Sequence, residues 1–162
     1  MKTAIIYYSM SGNTDYVAKS ISEKIDADLI RIEPKKEYPN KGIKKFFWGG
    51  KSAVMRETPE LENYDFDSNK YDYIIFGTPV WASSFTPPIR TFIKENKDEL
   101  KDKKVAVFTC YSGGGAEKAL EKLKQYIGIN QFEAELILID PKDRKTEEKD
   151  KKIQEFCEKL NK

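Results

Sequence analysis

Residues 5–14 read Ile5-Ile6-Tyr7-Tyr8-Ser9-Met10-Ser11-Gly12-Asn13-Thr14, and this passage changes character halfway along. Ile5 to Tyr8 are β-branched or aromatic and suit a buried strand, whereas Ser9 to Thr14 bring three hydroxyls, an amide and a glycine. Such a bend is rich in donors and carries no charge of its own. Ser9, Ser11 and Thr14 offer O–H groups and Asn13 an N–H, while Gly12 lets a ligand approach the backbone without a Cβ in the way. If a helix follows, its unpaired N–H groups and positive dipole end add to the bend, so a phosphate dianion could be held without Lys or Arg. The plainer alternative is a strand-to-helix turn in which Asn13 or Thr14 caps the helix.

Val17, Ala18, Ile21 and Ile25 recur at helical spacing with Lys19, Glu23 and Lys24 between them, which predicts a helix over 13–25. Residues 28–33 predict a short second strand that Pro34 ends. The third strand is expected over 71–77, with Thr78-Pro79-Val80-Trp81-Ala82-Ser83-Ser84 as the loop beyond it and Pro87-Pro88 opening a helix. A fourth strand over 104–108 leads into Thr109-Cys110-Tyr111-Ser112-Gly113-Gly114-Gly115 and a helix ending near Gly128. A fifth strand over 134–139 and a last helix over 145–160 complete the series.

Alternating strands and helices predict a three-layer, doubly wound α/β fold with a parallel sheet covered on both faces. Ligands bind such sheets beyond the carboxyl ends of the strands, where the winding direction reverses. In the common doubly wound order 2-1-3-4-5, strands one, three and four are neighbours and the loops after them converge. The first supplies hydroxyls, and the other two supply flat aromatics, Trp81 and Tyr111, among small residues that admit a planar ring. Stacking of that kind is worth about 1 kcal/mol beyond the area it buries. Either aromatic could instead pack on a neighbouring helix, and the glycines 113–115 equally suit a tight turn.

Over residues 5–21 the chain resembles the amino-terminal signature of the flavodoxin family, with Ser9, Gly12, Thr14, Ala18 and Ile21 at matching positions. Gly77-Thr78-Pro79-Val80-Trp81 and Pro87-Pro88-Ile89-Arg90-Thr91-Phe92 are similar to one branch of that family, so the resemblance covers nearly the whole chain. It implies a five-stranded parallel sheet in the order 2-1-3-4-5 and FMN as cofactor. It assigns the phosphate to Ser9, Met10, Ser11, Gly12, Asn13 and Thr14, and the ribityl or phosphate region to Thr78. The ring falls to Trp81, Ala82, Ser83 and Ser84 with Thr109, Tyr111, Ser112, Gly113, Gly114 and Gly115, and Pro79 and Val80 count among the cofactor-binding residues. Two features depart from the family. Many of its members place glycine beside the ring, where this chain has Ala82, Ser83 and Ser84. They are also commonly acidic, whereas the pI here is about 8.3.

The length of 162 residues and 39% hydrophobic content predict a single domain over 1–162. Histidine is absent and Cys110 and Cys157 lie far apart, which argues against zinc, haem or a Ser-His-Asp site. A short apolar start without a small-residue cleavage site, and no run of 18 apolar residues, lead us to expect a cytoplasmic protein with reduced thiols and no membrane partner.

A basic aromatic insert at about 35–58 separates strands two and three. Between residues 35 and 56 seven basic side chains stand against the single acid Glu37, a net of +6 in a chain of +2 overall, so the remainder carries −4. Ile43, Phe46, Phe47, Val54 and Met55 are expected to pack as a short helical flap with solvated lysines. The alternative is a docking surface of which Lys44 and Lys45 form part. Gly49-Gly50-Lys51-Ser52 imitates a nucleotide-binding loop, but Lys45 occupies the place of its first glycine and no strand precedes it.

The functional expectation is a small FMN-binding electron carrier without a catalytic side chain. It would exchange electrons with a reductase or ferredoxin-like donor and an acceptor protein, as a monomer or weak dimer, and without nucleic acid. The alternative is an FMN-dependent NAD(P)H:quinone or nitro reductase, with Tyr111 or Ser83 near the hydride-accepting edge. A receiver-like module without flavin would need aspartates where Ser9 and Gly77-Thr78 stand.

Overall fold

A computed structural model of the chain describes residues 1–39, 51 and 55–161. Five strands, β1 (Thr3–Tyr7), β2 (Asp28–Arg31), β3 (Tyr73–Pro79), β4 (Lys104–Tyr111) and β5 (Glu135–Ile139), form one parallel sheet in the order β2-β1-β3-β4-β5. Among the described residues four α-helices connect or follow them: α1 (Asn13–Ile25), α2 (Pro87–Glu95), α3 (Ala116–Ile127) and α4 (Glu147–Leu160). The predicted order 2-1-3-4-5 and the doubly wound layering are therefore the observed ones.

Side-chain alternation along the strands sorts the core into two halves. Ala4, Ile6, Ile74, Phe76, Val105 and Val107 face α2 and α3, packing with Ile89, Phe92, Leu120 and Leu123. Ile5, Tyr7, Ile75, Ala106, Phe108 and Leu136 face α1 and α4, packing with Val17, Ile21, Ile153 and Phe156. Because β1, β3 and β4 are buried on both faces, they read as continuous apolar runs. Gly77 belongs to this packing, since a Cβ there would stand 2.2 Å from Cζ of Phe108 on the neighbouring strand.

The two central strands run further than the sequence predicts. Thr78 and Pro79 pair with Thr109 and Cys110 in register, and Val80 N–H donates to the Cys110 carbonyl (3.1 Å), so residues assigned to loops are strand. Small polar residues hide this extension. The ladder continues because each central strand has a partner on both sides, whereas β2 at the edge stops at Arg31, ahead of Pro34.

The insert leaves and returns beside that edge: Pro34 pairs antiparallel with Leu61, and Lys35 N–H donates to the Glu60 carbonyl. The expected packing of Ile43, Phe46, Phe47 and Val54, and the positions of Lys44 and Lys45, lie outside the described residues. Met55 does not pack as expected: it is 62% exposed, in a turn at the end of the insert. No helix among the described residues is long and apolar enough to cross a membrane.

Candidate functional site

A cavity of about 260 Å³ opens at the carboxyl edge of the sheet, above β1, β3 and β4. Met10, Ser11, Asn13 and Thr14 line one side. Pro79, Val80, Trp81 and Ala82 line a second, and Tyr111, Ser112, Gly113 and Gly114 a third. The three bends singled out from the sequence thus meet around one opening. Ser9, Gly12, Thr78, Ser83, Ser84, Thr109 and Gly115 are not on the lining, and most of them hold the walls in shape.

The first wall is fixed by side chains that fold back on the backbone. Buried Ser9 Oγ accepts the Asp15 N–H (3.1 Å), tying the end of β1 to the first turn of α1. Gly12 caps that helix at φ 94°, a left-handed geometry that glycine adopts without strain. Asp15 in the first turn accepts from the Tyr7 hydroxyl (2.9 Å) and pairs with Lys19 (2.7 Å) and Arg31 (3.4 Å). Burial works against ionisation of the Asp15 carboxyl. The hydrogen bonds from Lys19 and Tyr7 and the charges of Lys19 and Arg31 outweigh it and hold the group below the usual carboxylate range. Tyr7 moves the other way: burial, then the Asp15 carboxylate, push its hydroxyl up to about 12.

The second wall carries Trp81, whose ring meets Tyr8 edge-on at 5.7 Å and Tyr38 at 5.2 Å between centroids. Two tyrosines thus set the plane of the indole. Behind it, the fully buried Thr78 hydroxyl donates to the Pro79 carbonyl and accepts the Thr86 N–H (3.0 Å). The expected ribityl or phosphate contact for Thr78 finds no cavity-facing hydroxyl to make it. Thr109 is likewise buried and donates to the Thr78 carbonyl (2.7 Å). Residues 81–84 close a two-residue turn in which Trp81 and Ser84 exchange backbone hydrogen bonds of 2.9 and 3.0 Å. Its central residues Ala82 (φ 49°) and Ser83 (φ 56°) are both left-handed.

The third wall is open at its rim. Nothing stands within 4 Å of a Cβ placed on Gly113 or Gly114, whereas Gly115 (φ 85°) lies so close to Ser83 that a Cβ would come within 2.2 Å of its Oγ. Gly115 is therefore where the second and third walls touch. Cys110 floors the cavity, its thiol pushed up to about 12 by burial.

Sequence reasoning missed a fourth wall, the loop after β5. Asp140 lines the cavity at φ 39°, its N–H donating to the Tyr111 carbonyl (3.1 Å) and its carboxylate accepting from the Ser112 hydroxyl (2.6 Å). Next to it, Asn13 ties the first wall to this loop. Its Oδ1 accepts the Lys142 N–H (2.8 Å) and its Nδ2 donates to Asp143 (3.0 Å) and Ser11 Oγ (3.4 Å). Asn13 was expected to donate to a phosphate, but its amide is engaged with the fourth wall. The signal was available, because every loop that leaves a parallel strand at its carboxyl end lies on the same edge.

The arrangement offers small neutral donors and a helix N-terminus at one end and aromatic surface at the other, and the described residues contain no cluster of metal ligands. That chemistry suits an anionic group joined to a planar one.

A family model described as Flavodoxin matches residues 2–155. Among solved structures, the flavoprotein of Lactobacillus acidophilus NCFM, determined in complex with FMN, is 26% identical with a TM-score of 0.71 over 88% of this chain and 95% of that one. A candidate flavoprotein of Bacteroides eggerthii DSM 20697 superposes with a TM-score of 0.77 at 21% identity, covering 99% of this chain and 98% of that one. Two-electron reduced flavodoxin of Megasphaera elsdenii, at 19% identity and a TM-score of 0.61 over 96% and 97% of the two chains, shares the fold.

Proposed function

The chain belongs to the flavodoxin family, and from that premise we propose that it binds FMN and serves as an electron carrier between redox partner proteins. The observation that carries this reading is the convergence of the four walls on one cavity, with α1 pointing its N-terminus at one end and Trp81 and Tyr111 at the other.

The residues present fit the cofactor. The first N–H groups of α1 lack intrahelical partners and suit a terminal phosphate, with Ser11 and Thr14 beside them. Trp81 and Tyr111 provide faces for the ring, and Gly113 and Gly114 leave its approach clear. Between the ends, Ser112 and Asp140 suit a polyol. When bound, FMN supplies the electron-transfer chemistry. The chain's own residues bind and orient it. The buried Thr78, Thr86 and Thr109 network keeps the second wall rigid, and Cys110, held as a neutral thiol, keeps charge off the cavity floor.

The purified protein is expected to show flavin absorption that survives dialysis and to bind added FMN stoichiometrically. Replacing Asn13 and Thr14 together by alanine should release the colour. The same holoprotein should oxidise NAD(P)H only slowly. A colourless protein that takes up no FMN overturns the binding, and rapid NAD(P)H turnover with a quinone overturns the carrier role.

A further inference from the structure

Residues 140–145 bring three cations to the rim of the first wall, and two of them are engaged. Arg144 reaches Asp140 (3.6 Å) and Lys145 sits over the Tyr16 ring at 4.7 Å. Lys142 is different. Its side chain crosses the face of Gly12, with Nζ 2.9 Å and Cδ 3.4 Å from where a Cβ on that glycine would stand, and it makes no ion pair among the described residues. The other cations near the bend, Lys19 and Arg31, are already taken up by Asp15.

Of the bend's four side chains with donors, Ser11 and Thr14 line the cavity and the other two are committed elsewhere. Asn13 is bound to Lys142 N–H and Asp143, and the Ser9 hydroxyl stands behind the bend on Asp15 N–H. We infer that Lys142, from the loop after β5, is the charged member of the phosphate site, closing over Gly12 to neutralise a terminal phosphate held by the N-terminus of α1. This rests on the FMN reading above. It also assigns Asn13 a new part: by holding the Lys142 backbone N–H, it positions the lysine instead of touching the anion. A Cβ at Gly12 would crowd the ammonium, 2.9 Å from its position, while the stem atoms Cδ and Cε would stay at ordinary contact, 3.4 and 3.7 Å away.

Because the latch uses the backbone of Lys142, replacing its side chain leaves the loop anchored. Affinities for FMN and for riboflavin, which lacks the phosphate, are compared by flavin fluorescence in wild type, K142M and K142R at low and high salt. A charged hydrogen bond of this kind corresponds to a loss of about tenfold to a hundredfold. K142M should weaken FMN by that factor, leave riboflavin within about twofold and flatten the salt dependence, while K142R stays near wild type. An FMN-to-riboflavin ratio unchanged in K142M overturns the inference and leaves the flavin reading standing. If wild type takes up no FMN, the flavin reading falls and inorganic phosphate decides the lysine. A rise in melting temperature with phosphate that K142M abolishes supports an anion site there, and no rise, or an equal rise in both proteins, overturns it.

Discussion

At the 10–14 end of the cavity the backbone is held by side chains that turn back onto it, while at the 81–84 end it is held by its own backbone hydrogen bonds, by buried threonines behind it and by contact with a neighbour. Ser9 and Asn13 each hold a backbone N–H, Asp15 ties the bend to Tyr7, Lys19 and Arg31, and the one left-handed residue is Gly12, where that geometry is free of strain. In the 81–84 turn two non-glycine residues, Ala82 and Ser83, are left-handed, and Gly115 presses on Ser83. A hydrogen-bonded wall can lose one partner and relax gradually, whereas a strained turn held by contact responds steeply to a single added methyl. The end suited to an anion is thus tied by side-chain bonds, and the end suited to a ring by backbone pairing and close contact.

Four substitutions break or sharpen that contrast. Gly115→Ala should have the largest effect, costing about 3 kcal/mol by urea denaturation, because it adds a left-handed penalty to a clash with Ser83. Combining it with S83G should recover roughly half of that loss. An equal loss with and without Ser83 would show that backbone geometry alone sets the cost.

Asn13→Ala at the opposite end should cost about 2 kcal/mol, since it removes three bonds of modest individual worth. The Lys142 amide should exchange faster with solvent while the Trp81 turn keeps its protection. If both ends lose protection together, the two walls form one cooperative unit.

The smallest effect should come from Ala82→Gly or Ser83→Gly, each stabilising the chain by about 0.5 kcal/mol as relief of left-handed strain slightly exceeds the added freedom of the unfolded chain. A loss of stability in both would mean that the turn is less strained than its dihedral angles imply.

Much of this was legible in the residues. Alternation of apolar strands with amphipathic helices identifies the layers, and Gly128 ends α3 in a left-handed conformation as its place after Ile127 suggests. Met10, Trp81 and Tyr111 were read as site residues and do line the opening. The resemblance assigns Thr78 and Thr109 to the cofactor, and the ladder between the central strands buries both. Met55 looked like core from its type, but it stands in a turn open to solvent. The loop after β5 went unread because Asp140-Pro141-Lys142-Asp143 has neither glycines nor aromatics to mark it.

Periodicity and composition by themselves determined the layered architecture, the order of elements and the chemistry of the three bends, because local propensity and burial pattern follow from neighbours in the chain. Tertiary structure alone decided which hydroxyls face the cavity, that Asn13 serves Lys142 and Asp143, and that an ammonium 130 residues away in sequence lies across Gly12. Those facts depend on which loops the packed sheet brings side by side at its carboxyl edge, and a local pattern of residues carries no record of partners so far away in the chain.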